Sequence, residues 1–289
     1  MINSPVLQRF EHPVTEFLDW HGNGVAVWWL GQAGFIIRYG NTNIVIDAYL
    51  SDFLAVKYKG KEYPHNRMMP PPIPMDEMTG IDFYICSHSH SDHMDPGLIP
   101  VIRDISPDCR FIIPEAARTT GLERGIPADR LFGIDAGEDI SLSDGIGLKA
   151  IPSAHEELKQ DRLGHHHFLG ITLEFGNLTV YHSGDCLPYP GYDAWLKSQR
   201  IDLALMPVNG RRDELSRRGI SGNFSFSQAC GIIREHGIPF MIPHHYGMFD
   251  FNTVDRAVLD AEIQDSDLSD RVFPAETGIL YNLCEGSCG

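Results

Sequence analysis

The sequence predicts an α/β chain in which two mixed β-sheets pack face to face with helices on their outer faces, four layers in all. Three observations carry this prediction. Apolar, β-rich runs joined by tight turns occur in both halves of the chain, at 25–50 and at 168–182. Helical stretches fall between and after them, and a sheet or helix with one apolar face needs a second layer to bury it. No composition shift or low-complexity tract marks a linker, so residues 1–289 read as one domain.

The elements follow in order. Residues 25–50 form two runs joined through Tyr39-Gly40-Asn41-Thr42-Asn43, the composition of a hairpin turn, and the second strand ends at Asp47. Residues 51–80 are polar and hold Pro70, Pro71 and Pro72, which lack an N–H and fix φ, so a long loop is expected. Loops of that length in compact chains are often functional. Short strands are read at 81–86 and 111–113, and a helix at 116–124 stopped by Gly125. Further strands lie at 146–151, 168–175, 178–182 and 203–207, the middle pair joined by Gly176-Asn177. A helix capped by Ser227 runs to His236, a strand covers 240–242, a helix 253–263 and a last strand 278–283. The first 24 residues read as an extension, with Phe10, Val14, Phe17 and Leu18 at roughly helical spacing.

Composition excludes several functions. The chain has 23 basic and 39 acidic residues, a formal charge of −16, which opposes a sequence-independent grip on nucleic acid or on an anionic membrane. There is no basic n-region followed by an apolar run, nor any stretch of 18 apolar residues, so a cytoplasmic, unanchored protein is expected. The six cysteines show no disulfide-framework spacing and are expected to be reduced thiols. A homo-oligomer is left open.

Histidine is the anomaly. Ten of the 14 fall between His88 and His182 or at His244 and His245, and imidazole is the commonest metal ligand. The densest group is Ser87-His88-Ser89-His90-Ser91-Asp92-His93, directly after the strand that ends at Cys86. Three imidazoles and a carboxylate at a strand end can face two ions, His88 and His90 toward one, Asp92 and His93 toward the other. Four ligands cannot close two coordination shells. His155, Asp185 and the pair His244-His245 stand at the ends of other predicted strands, where a shared cleft would receive them.

These residues resemble the metallo-β-lactamase superfamily of hydrolases. HSHSDH at 88–93 matches its HxHxDH motif, and Asp47, His155, Asp185 and a histidine at 244 or 245 fall in its other motif positions, in order, over roughly residues 25–255. Trp28-Trp29-Leu30-Gly31-Gln32-Ala33-Gly34, Tyr181-His182-Ser183-Gly184-Asp185 and Ile242-Pro243-His244-His245 resemble the L-ascorbate-6-phosphate lactonase branch. The phospholipase D-like branch acting on N-acyl ethanolamine phospholipids is a second relative. The resemblance implies that His88, His90 and His155 hold one ion, that Asp92, His93 and His245 hold the other, and that Asp185 bridges them. His245 is preferred over His244 because His245-Tyr246-Gly247-Met248-Phe249 resembles the ligand-bearing run of the phospholipase-like relatives. Asp47 and His244 are expected to support the ligands without touching an ion.

Two divalent ions are thus expected, manganese or zinc with iron as an alternative, because imidazole and carboxylate without thiolate suit these metals. The lactonase branch implies manganese. A pair of ions lowers the pKa of a bridging water strongly, toward about 7, which makes Asp92 and Asp185 catalytic through the metals they are expected to hold. The expected substrate is small and anionic, a lactone or ester of a phosphorylated sugar acid. The alternatives are a phosphodiesterase and a non-hydrolytic di-iron redox or metal-sensing protein. Against the overall charge, cations must draw such a substrate in: Lys57, Lys59, Lys61 and Arg67 in the proline-rich loop, or Arg211, Arg212, Arg217 and Arg218 after Asn209. Asn209, Arg211, Arg212 and Tyr189 are the candidate substrate contacts, Tyr189 as donor to a leaving oxygen. His165, His166 and His167 read as a solvated loop or a substrate contact, and Cys186 as a thiol packed beside the site.

Overall fold

The computed structural model describes residues 4–286. Fourteen strands form two mixed sheets. The first holds, in spatial order, β1 (Pro5–Glu11), β14 (Ile279–Glu285), β2 (Val25–Gly31), β3 (Gly34–Tyr39), β4 (Thr42–Ile46), β5 (Phe83–Ile85), β6 (Arg110–Pro114) and β7 (Leu131–Ile134). It is antiparallel from β1 to β4 and parallel from β4 to β7. The second runs β13 (Phe240–His244), β12 (Leu203–Pro207), β11 (Leu178–His182), β10 (Leu169–Phe175), β9 (Ile146–Pro152) and β8 (Asp139–Ser143). It too is part parallel, β11 to β13, and part antiparallel, β8 to β11.

The two-residue side-chain period decides which layers these strands join. On β2, Val25, Val27 and Trp29 enter one core with Leu148, Ile171, Leu173 and Val180 of the second sheet. The alternate residues Ala26, Trp28 and Leu30 enter another, with Leu98, Ile99 and Ile102 of α2 (Leu98–Ile105). Two buried faces explain why the run reads as continuously apolar rather than alternating. On the far side of the second sheet α6 (Phe226–Glu235) lies against β12 and β13. The layering therefore agrees with the predicted class.

Several elements differ from the sequence reading. Residues 25–50 hold three strands, because the chain reverses tightly between Gly31 (φ +93°) and Gly34, with Gln32 also left-handed at φ +51°. The apolar look of Trp29 to Phe35 conceals that turn. The N-terminal segment is helical only in part: β1, which holds Phe10, adds an antiparallel edge strand to β14, and a 3-10 helix at Val14–Asp19 buries Val14 and Phe17 in this chain's own core. The helix read at 116–124 is a 3-10 turn, Glu115–Ala117, followed by α3 (Arg118–Glu123). The proline-rich loop carries α1 (Phe53–Lys57) ahead of its prolines and a 3-10 turn at Met75–Glu77. α6 is capped by Ser225, not Ser227: its hydroxyl accepts from Gln228 N while the Gln228 side chain accepts from Ser225 N, a reciprocal capping box. The sequence reading missed α2, β7, β8 and two short helices, α4 (Tyr192–Lys197) and α5 (Asp213–Ser216). The final helix, α7 (Arg256–Asp265), starts later than read, at the Asp255 cap.

The topology gathers functional residues at one end. Ser87 to His93 follow β5, His155 follows β9, Asp185 follows β11 and His245 follows β13. Backbone bonds stitch the two sheets together there, Leu169 N to Ser87 O at 3.0 Å and His245 N to Gln32 O at 2.9 Å.

Candidate metal centre and active site

At that end two sets of side chains each bring three ligand atoms within 4.8 Å of one another: His88, His90 and His155, and Asp92, His93 and His245. Asp185 stands between the sets. Its Oδ1 lies 3.4 Å from His93 Nε2 and 3.3 Å from His245 Nε2, and its Oδ2 lies 3.6 Å from His155 Nε2. All seven residues that the motif points to therefore meet in one place, although they come from four strand ends.

Asp47 supports the cluster from behind. Fully buried and itself left-handed at φ +49°, it accepts hydrogen bonds from Ser87 N at 2.7 Å, Ser87 Oγ at 2.5 Å and His93 Nδ1 at 2.8 Å. The bond to Nδ1 turns His93 Nε2 toward Asp185 and Asp92. Asp47 also falls within 4.8 Å of His88 and His93 as a third potential ligand group, but its oxygens are already engaged in orienting neighbours. Gln32 is a participant that the sequence reading quoted without a role. Its buried amide donates to Asp92 Oδ2 at 2.9 Å and lies 3.2 Å from His245 Nε2. The left-handed turn that was missed is what aims it there.

Burial and charge set the protonation pattern. Burial pushes the imidazoles of His88 and His90 below the usual range and that of His155 down to about 4, so all three are neutral at pH 7. Burial acts on His93 in the same direction, but the carboxylates of Asp185, Asp47 and Asp92 outweigh it and hold His93 well above the usual value. Asp185 is pushed up by burial, yet His93 and His245 keep it well below the ordinary carboxylate range.

A cavity of about 610 Å³ opens onto the cluster. Its cations are Lys57 and Lys61 from the proline-rich loop, Arg218 and Arg124. Arg124, at the C-terminal end of α3, was not foreseen. It hydrogen-bonds Met94 O beside the ligand loop and has no carboxylate ion pair among the described residues. The cavity is also lined by the rings of Tyr58, Tyr63, His65, Phe249 and Phe251, with Lys57 over Tyr58 and Arg218 over Tyr63.

The four candidate substrate contacts do not line this cavity. Asn209 is buried between Asn252 and Asn223, bonding to both; Arg211 pairs with Glu156 and Asp213; Arg212 donates to Phe251 O; and Tyr189 donates to Pro152 O. Each is satisfied within the protein; of that basic stretch Arg218 lines the cleft, where it pairs with Glu62. Arg67 is likewise turned away, onto Tyr49 O and Met69 O. His244 is buried, stacked on His182 at 5.1 Å and edge-on to Phe35, and outside both ligand sets, so it packs behind the site instead of orienting a ligand. His165 and His166 are taken up by Asp161 and Asp135. Cys186 is a buried thiol, its pKa raised to about 11 by burial. Cys86, Cys109 and Cys230 are also free and buried, whereas Cys284 is disulfide-bonded, against the expectation of reduced thiols; Cys288 lies outside the described residues. Among the described residues no helix is long and apolar enough to cross a membrane.

The fold and the site define a class. Residues 42–246 match the family model described as the beta-lactamase superfamily domain, more than half of the chain. The chain belongs to that superfamily and is an enzyme of the hydrolase type. Among individual relatives, a UPF0173 protein of Pyrococcus abyssi is 27% identical over 76% of this chain and 83% of its own length. A UPF0173 metal-dependent hydrolase of Pyrobaculum aerophilum is 27% identical over 62% of this chain and 70% of its own. N-acyl-phosphatidylethanolamine-hydrolyzing phospholipase D 1 of Caenorhabditis elegans is 26% identical over 38% of this chain and 31% of its own. The solved structure of an isothiocyanate hydrolase from Delia radicum gut bacteria shares the fold, with a TM-score of 0.72 at 15% identity, over 91% of this chain and 100% of that one.

Proposed function

We propose that this chain is a metal-dependent hydrolase of small anionic esters, with a lactone of a phosphorylated sugar acid as its first candidate substrate. One observation carries the metal: His88 Nε2, His93 Nε2 and Asp185 Oδ1 are buried at the cluster without a hydrogen-bond partner. Unpaired buried polar atoms cost about 1–3 kcal/mol each, and divalent cations would satisfy them together. In this reading His88, His90 and His155 would hold one ion and Asp92, His93 and His245 a second, with the Asp185 carboxylate within reach of both sets. Neutral imidazoles and carboxylates without thiolate suit manganese, zinc or iron. Bound there, such ions supply Lewis acidity and a nucleophilic water at neutral pH.

The protein's own residues do the rest. Asp47 fixes the orientation of His93 and, through Ser87, of the ligand loop; Gln32 fixes the Asp92 carboxylate. Lys57, Lys61 and Arg124, which form no ion pair with a carboxylate among the described residues, make a local cationic field that draws an anion into a chain of net charge −16, whereas Arg218 is paired with Glu62. A small-molecule substrate and no nucleic-acid or membrane partner belong to the same proposal, supported by that charge; a cytoplasmic location rests on the four buried free thiols, with the disulfide-bonded Cys284 as the exception.

A phosphodiester substrate is the second reading, supported by the likeness to the phospholipase of Caenorhabditis elegans. The test is a panel of lactones and phosphodiesters given to protein loaded with manganese, zinc or iron. Lactone turnover, abolished by a chelator and restored by metal, is expected. Turnover of phosphodiesters alone transfers the assignment to the second reading, and no hydrolysis with any metal removes both.

A further inference from the structure

His65 is a residue the metal chemistry does not use. It lines the same cavity as His90, Asp92 and Asp185. Its ring is stacked on Tyr58 at 4.3 Å and meets the edges of Phe249 at 5.1 Å and Phe251 at 4.7 Å, so it is held from two separate loops. Nδ1 lies 2.7 Å from Tyr63 O. A carbonyl only accepts, so Nδ1 carries the proton and a neutral ring leaves Nε2 as an acceptor. Nε2 makes no hydrogen bond among the described residues and is not one of the fully buried unpaired atoms, so solvent reaches it. The backbone of His65 is left-handed, φ +53°, a conformation that side-chain-bearing residues adopt rarely and that concentrates at functional sites. Burial holds the ring below its ordinary pKa, which keeps the acceptor form at neutral pH.

We infer that His65 is a specificity-determining residue whose Nε2 accepts a hydrogen bond from a hydroxyl of the substrate, with Tyr58 and Phe251 flanking the carbon skeleton. The role rests on the small anionic ester proposed above and adds a requirement: a substrate hydroxyl within reach of His65 Nε2, beside the Tyr58 ring over which Lys57 lies. An unhydroxylated analogue leaves Nε2 desolvated and unpaired, and so binds less well.

The test uses binding to the metal-loaded protein, which needs no turnover. D-gluconate and hexanoate are both six-carbon carboxylates and differ in their hydroxyls; their affinities are compared by calorimetry for the wild type, His65→Phe and His65→Asn. The wild type is expected to favour gluconate. His65→Phe, which keeps a ring but no acceptor, should erase about threefold to tenfold of that preference, the range of one hydrogen bond, and leave hexanoate affinity unchanged. His65→Asn, which tolerates the left-handed backbone and keeps an acceptor, should recover part of it. Metal content and circular dichroism verify that the variants are folded. An unchanged preference in His65→Phe, equal binding of the two acids by the wild type, or no binding of either, overturns the role. Failure of the hydrolase reading is a separate result, absence of turnover in the ester panel.

Discussion

At the scale of single residues, the support of the site is as informative as its ligands. Asp47 touches no cavity space, yet three donors converge on it and one of them, His93, faces the Asp185 carboxylate. Replacing Asp47 by Asn keeps the volume but puts an N–H where His93 and Ser87 need an acceptor. The expected result is a fall in metal affinity of about 10–100-fold, read by competition with a chromogenic chelator, while circular dichroism stays native. Unaltered affinity would show that His93 is oriented by packing alone. At this scale most of the ligand set was legible in the sequence, because HSHSDH packs four donors into six residues and each remaining ligand stands at a strand end. Gln32 was not, because its role depends on a left-handed turn hidden in an apolar run.

At the scale of elements, the β3 and β4 strands meet the site through a close approach of backbones. A side-chain carbon added to Gly34 would lie 2.9 Å from Ala48 Cα and 3.2 Å from Asp47 O. Neither neighbour is a flexible side-chain end, so Gly34→Ala must move the segment that carries Asp47. We expect a loss of about 1–3 kcal/mol in urea unfolding, accompanied by weaker metal binding. Loss of stability with intact metal binding would mean that the strain is absorbed away from Asp47. Strands buried on both faces were readable from their apolar runs. Three kinds of element were not: β1, whose pairing with β14 joins the two ends of the chain; α2, which begins without a side-chain cap; and β8, an edge strand with few buried residues. In each case the deciding partner is distant in sequence or the local signal is faint.

At the scale of the whole molecule, stability and metal occupancy are linked through protons. Burial keeps His88, His90 and His155 below the value of about 6.5 that they have when unfolded. Between the folded and unfolded values the unfolded chain binds more protons, so these groups make stability rise with pH and cost it as pH falls from about 6.5 toward 4. His93 has the opposite sign: its raised value gives stability that is complete below about 6.5 and lost as pH climbs through its folded value. Below about 6.5 His93 is protonated in both states and adds no slope, so the three buried imidazoles set the trend there. The urea midpoint of the metal-free protein should therefore fall on acidification from pH 6.5 to 4, and more steeply with metal present, since protons also compete for the ligands. A midpoint that rises over that interval would contradict the protonation pattern.

What the sequence by itself determined is the chemistry on offer: the class of fold, the donors and the family, because periodicity and a compact motif are local properties of the chain. What only the tertiary structure decided is which side chains share the cavity. Arg211 and Arg124 look alike in sequence, but one is neutralised by Glu156 and the other faces the cleft without a carboxylate pair. Charges and hydrogen bonds act through space over a few ångströms, and the folding of distant loops onto one another sets those distances.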